Sequence, residues 1–109
     1  MARASEVTRG DLWYVHFDVG PHPGLLIGRT GAMRRRQRAI VALTTSEGLG
    51  LPTEVAVGPQ HGLDHDSVVD CEDLFTVPLS ALDRRIGELD PDTLAGVDAA
   101  LRLALDLRQ

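Results

Sequence analysis

Lysine is missing from all 109 residues, so every fixed side-chain positive charge is an arginine guanidinium. Cysteine occurs once, at Cys71, which excludes an internal disulfide framework and fits a reducing compartment. No apolar run approaches the ~20 residues needed to span a bilayer, and Met1–Glu6 holds no apolar signal core. The expectation is a soluble, cytoplasmic protein. Also absent are a glycine-rich phosphate loop, an HExxH metal motif and a Ser or Cys nucleophile in a recognisable setting. No repeat or low-complexity linker divides the chain, and its length suits one domain with a modest core.

The charge that is present is unevenly spread. The net charge of −5 argues against nucleic acid only until its distribution is read. Residues 1–45 hold seven arginines against three acids, a local +4, whereas residues 46–109 hold four against thirteen, a local −9. Arg29, Arg34, Arg35, Arg36 and Arg38 fall within ten residues. Guanidinium forks match phosphate oxygens, so this group is a candidate phosphate-binding loop; the alternative is a solvated connection between strands.

In chain order, residues 1–8 read as a flexible leader and Leu12–Phe17 as a strand. Trp13 is expected in the core or at a dimer interface, and His16 as a hydrogen-bonded structural histidine. Asp18–Gly24 reads as a turn stiffened by Pro21 and Pro23 around His22, followed by a short strand over Leu25–Ile27. His22 stands out because an unperturbed imidazole titrates near neutral pH.

Ala39–Leu43 is a β-branched apolar run of strand length that ends in Thr44, Thr45 and Ser46. A glycine-rich break and a second extended run, Leu51–Val57, suggest a hairpin. Neighbouring residues on a strand face opposite sides, so only one of Thr44 and Thr45 is expected to meet a cleft. The polar loop Gly58–Asp66 contains His61, Asp64, His65 and Asp66. Their spacing fits no zinc pattern and lacks the regularity of hard-ion loops, so no metal site or cofactor is expected.

Ser67–Cys71 and Leu74–Val77 read as two strands, Pro78–Arg85 as a helical turn or two, and Ile86–Leu89 as extended. The clearest helix is last: Asp90 at the cap, Pro91 at the first position and Asp92 in the first turn. Leu94, Val97, Leu101 and Ala104 or Leu105 then form one apolar stripe, with Asp98 on the solvent side. Short strands closed by a terminal helix describe a small β-barrel, mainly β with α.

The order of RGDLWYV, AIVALTTS, PTEV, DSVVDCEDLFTV and the LDRRIGELDPDTL tail resembles the MazF/PemK toxin family, from Arg9 to Leu107. The resemblance implies an SH3-like barrel with a C-terminal helix, a homodimer, and metal-independent, sequence-specific cleavage of single-stranded RNA. It further implies a cognate MazE-like antitoxin whose disordered tail blocks the RNA groove. Carried over, the family's threonine falls on Thr45, with Thr44 as the alternative. Its arginine, which precedes a proline and an aliphatic strand, falls on His22, and the loop between the first two strands is shorter than usual. The implied roles are His22 as proton shuttle, Thr45 as donor to the phosphate, and Arg29 or one of Arg34–Arg36 as cation, with RNA held along the arginine loop. A rival expectation is a protein of this fold that binds RNA or its antitoxin without cleaving.

Overall fold

The computed structural model describes residues 2–108. Six strands form one curled sheet: β1 Asp11–Phe17, β2 Gly20–Leu26, β3 Arg38–Thr45, β4 Glu54–Val57, β5 Ser67–Pro78 and β6 Leu82–Glu88. Their spatial order is β4-β5-β3-β2-β1-β6. Two helices complete the chain, α1 at Thr30–Arg36 and α2 at Pro91–Ala104. No helix among the described residues is long and apolar enough to cross a membrane.

The sheet is apolar on both faces because alternate side chains point opposite ways. Trp13, Val15, Phe17, Leu26 and Val41 enter one cluster, which Val7, Met33 and Leu79 cover. Leu12, Leu25, Ala42 and Val69 enter the other, which Val97 and Ala100 of α2 cover. Trp13 is therefore a core residue of its own chain.

Edge strands β4 and β6 do not pair. The seam between them is closed by the short 3-10 turn Pro59–His61, which packs against β6. Contact there is backbone to backbone: a Cβ at Gly87 would collide with the carbonyl of His61, and Gly62 sits at φ +98°. Glycine is required at both positions, the second because left-handed backbone strains any other residue.

Several expectations are corrected. The expected leader over 1–8 packs down in its described part: Ala4–Glu6 is a 3-10 turn and Val7 is fully buried. The expected arginine loop contains α1, anchored by Met33. β3 and β4 are not a hairpin; both pair with β5, which lies between them. β5 itself is one strand, not two, and its register jumps from Val69 opposite Thr44 to Leu74 opposite Ala42. Bulging of this kind bends a strand, and here Glu72 and Asp73 sit at the bend.

β2 starts at Gly20, so His22 is a strand residue facing Val15 rather than part of a turn. Pro21 and Pro23 are tolerated because β3 pairs only with Gly24–Leu26, leaving an open edge beside them. Leu82–Arg85 is strand rather than helical turn, since pairing with β1 outweighs local helical preference. Finally, Asp98 is not on the solvent side: it is half-buried and pairs with Arg9 at 2.6 Å.

Candidate active site

Beyond Gly24 and Leu43, the last paired residues of β2 and β3, the two strands part. A cleft of about 290 Å³ opens at that end of the sheet. Pro21, His22 and Pro23 line it from β2, Thr44 and Thr45 from the end of β3, and Ser46 and Glu47 from the loop that follows. Tyr14 of β1, Ser67 of β5, Arg84 and Ile86 of β6 and the loop Gly62–His65 supply the rest of the wall. Residues of both strand parities reach the same space because the pairing has ended there.

His22 and Thr45 each lie two residues beyond the last β2–β3 pair, Gly24 opposite Leu43, and both line the cleft. His22 is half-buried, and its imidazole has no hydrogen-bond partner among the described residues. The Thr45 hydroxyl accepts the Glu47 backbone N–H at 3.1 Å, which leaves its own O–H free to donate. Thr44 is also among the residues that line the cleft. Its side chain is fully buried, however, and its hydroxyl donates to the Ala42 carbonyl at 3.4 Å.

The loop after β3 is held in place by one carboxylate. Glu54 Oε1 accepts backbone N–H groups from Leu49, Gly50 and Leu51 at 2.8–3.0 Å. Those bonds, Leu49's first, hold the Glu54 carboxyl below the usual carboxylate range. Serine, threonine and glutamate at positions 45–47 are thus presented by a braced loop.

The expected arginines lie elsewhere. Arg29, α1 and Arg38 sit where β2 leads into β3, whereas the cleft is at the other end of β3. Seven residue steps from Arg38 to Thr45 cover about 23 Å at roughly 3.3 Å each. Arg34 is partly committed to structure, its Nε donating to the Val7 carbonyl at 2.9 Å and its Nη2 to the Thr8 hydroxyl at 3.3 Å. Arg35, Arg36 and Arg38 are exposed.

The cation that does border the cleft is Arg84, whose guanidinium lies 5.2 Å from the centre of the Tyr14 ring. Sequence reading missed Arg84, Tyr14 and His65 as site residues. The usable signal for the first was the alternation of LDRRIGE, which places Arg84 opposite Tyr14 once it is paired as a strand.

The histidines divide by role. His61 is buried; its Nδ1 accepts the Gly58 N–H at 3.2 Å, so Nε2 carries the proton and donates to Asp90 at 2.8 Å. It clips the seam turn to the start of α2. His16 is exposed, with Asp83 3.9 Å away, rather than the structural histidine expected. His65 is exposed on the cleft wall. No cluster of three or more His, Cys, Asp or Glu side chains placed to hold a metal occurs among the described residues.

Comparison with known proteins follows the same outline. A family model described as PemK-like, MazF-like toxin of type II toxin-antitoxin system matches residues 8–105. The probable endoribonuclease MazF5 of Mycobacterium tuberculosis is 29% identical over 100 residues, covering 90% of this chain and 92% of that protein. The solved structure of M. tuberculosis toxin MazF-mt6 superimposes with a TM-score of 0.83 at 31% identity, covering 91% of this chain and 99% of that one. A mycobacterial endoribonuclease in complex with its cognate antitoxin gives 0.86 at 25% identity, covering 94% and 98%.

Proposed function

The chain belongs to the PemK-like, MazF-like toxin family of type II toxin–antitoxin systems, and from that premise we propose that its cleft cleaves single-stranded RNA. The protein is a toxin of the endoribonuclease type, with a cognate antitoxin as partner. The observation that carries the proposal is that His22 and Thr45 line one cleft at the parted end of β2 and β3.

Cleavage of this kind needs no external nucleophile. The 2′-hydroxyl attacks the adjacent phosphorus, the bond to the 5′-oxygen breaks, and the products are a cyclic phosphate and a 5′-hydroxyl. A base must take the 2′ proton, and donors must meet the charge that grows on the phosphoryl oxygens. His22 serves as the base. Its ring is reachable, and an imidazole exchanges protons near neutral pH where an arginine does not. The free O–H of Thr45 points a donor at the phosphate, and Arg84 supplies fixed positive charge. Protein acting on RNA in this way works in the cytoplasm, as a homodimer, under control of its antitoxin.

The exposed arginines near α1 lie too far away to touch the reacting phosphate. They form a second basic surface suited to holding the strand as it leaves the cleft.

His22→Ala is the test. Cleavage of single-stranded RNA should fall by ~10²–10⁴-fold, the usual contribution of a positioned base. His22→Arg should keep measurable activity but lose the acid limb of the pH profile, which in the wild type reflects protonation of the base. Products should carry cyclic phosphate ends. If His22→Ala cleaves as fast as wild type, the histidine is only a strand residue; if the wild type cleaves no member of a random single-stranded RNA pool, the protein binds without cleaving.

A further inference from the structure

A base is only half of the proton traffic in this reaction, since the departing 5′-oxygen leaves as an alkoxide unless something protonates it. Resting on the reading above, we infer that His65 is the general acid of this cleft and works together with His22. His65 reaches the cleft wall from the loop between β4 and β5, on a different part of the chain from His22. Its imidazole is exposed and has no hydrogen-bond partner among the described residues, unlike that of His61. The fold has therefore spent one histidine of the Gly58–Asp66 loop on structure and left the other facing the cleft.

Charge around the cleft favours a proton-carrying group there. The other titratable or charged side chains on its wall are Tyr14, Glu47, Asp64 and Arg84. Glu47 and Asp64 together outweigh Arg84, so at neutral pH the free cleft is not strongly attractive to a phosphodiester. A protonated imidazole adds a second cation to the wall, next in sequence to Asp64. It binds the anionic phosphate and holds the proton that the leaving group needs.

The step balances without a further reactant. His22 takes the 2′-hydroxyl proton as the new P–O bond forms, and the bond from phosphorus to the 5′-oxygen breaks. His65 passes its proton to that oxygen, ending neutral while His22 ends protonated. Two imidazoles in opposite protonation states predict a bell-shaped dependence of kcat/KM on pH. Its acid limb belongs to His22 and its alkaline limb to His65.

The test pairs His65→Ala with a change of leaving group. A cleaved site is first mapped on a random single-stranded RNA pool. An oligonucleotide with one ribonucleotide at that site is then made in two forms, with oxygen or with sulfur bridging phosphorus to the 5′-carbon. A thiolate departs without needing a proton. His65→Ala should therefore lose ~10²–10⁴-fold on the oxygen substrate and its alkaline limb, yet cleave the sulfur substrate within about tenfold of wild type. His22→Ala should be slow on both.

Because His65 lies in an exposed loop, the variant's circular dichroism and melting temperature should match the wild type. Undiminished cleavage of the oxygen substrate by His65→Ala overturns the inference and leaves the cleavage reading standing. So does an equal loss on both substrates, which would mark a purely structural role. Failure of the wild type on both substrates overturns both.

Discussion

Thr44 and Thr45 show how far one residue step changes a chemical role. The two hydroxyls border the same cleft, but one is sealed beneath it and the other is open with a free O–H. Thr45→Val should lower kcat by ~10²–10³-fold, the loss seen when one oxyanion donor is removed. Single-turnover rates on the mapped substrate, with binding measured separately, would check this. Thr44→Val should leave the rate near wild type, and the reverse order of the two variants would assign the donor to Thr44. The pattern TT was visible from sequence. Which hydroxyl is free was not, because the Glu47 N–H that orients Thr45 belongs to a loop whose path depends on Glu54.

Among the elements, α2 is the one whose start and most of whose buried face were legible in advance. Asp90 accepts the Thr93 backbone N–H at 3.0 Å and the Thr93 hydroxyl at 2.7 Å, with Pro91 at the first helical position. What sequence reading omitted is that the same carboxylate accepts the His61 Nε2–H across the seam. The Thr93 hydroxyl foremost, then His61, hold the Asp90 carboxyl far below its ordinary value. A depressed carboxylate contributes stability that is present above its unfolded pKa and is lost as pH falls through the folded one. Stability should therefore decline progressively below about pH 4, the unfolded aspartate value. Asp90→Asn should lower the melting temperature at neutral pH and flatten that acid decline; thermal melts from pH 2 to pH 7 would check both. An unchanged slope in the variant would show that other carboxylates carry the acid sensitivity.

At the scale of the whole molecule, cations are parted from one another by the length of a strand. Arg84 lines the cleft, while exposed Arg38 lies about 23 Å of strand rise from Thr45 and exposed Arg35 and Arg36 belong to α1, which precedes it. Replacing Arg35, Arg36 and Arg38 together by alanine should weaken binding of a long single-stranded RNA and flatten its salt dependence, with little effect on a short oligonucleotide confined to the cleft. Fluorescence titrations at several salt concentrations would measure both slopes; equal slopes for long RNA in variant and wild type would move the strand's path elsewhere. The protein should also sediment as a dimer at micromolar concentration. Trp13 no longer supports that expectation, being packed within its own chain. It rests on family membership, and a monomer throughout that range would contradict it.

Composition, strand-length apolar runs and the capped terminal helix determined by themselves that this chain is mainly β with a closing helix, and the order of its motifs pointed to the family. Those features are local: an alternating or β-branched run and an Asp-Pro cap express their preference within a few residues. Local signals failed where pairing over long sequence separation decided the outcome. β5 inserted itself between β3 and β4, and β1 recruited Leu82–Arg85 into β6. Five neighbouring arginines suggested one binding loop, but α1 carries most of them to the end of the sheet away from the threonines. The cleft's own cation and its second histidine come from segments 62 and 43 residues from His22. Only the curl of the sheet brings them together, because a site assembled from strand ends and distant loops exists only when the strands have paired and the seam has closed.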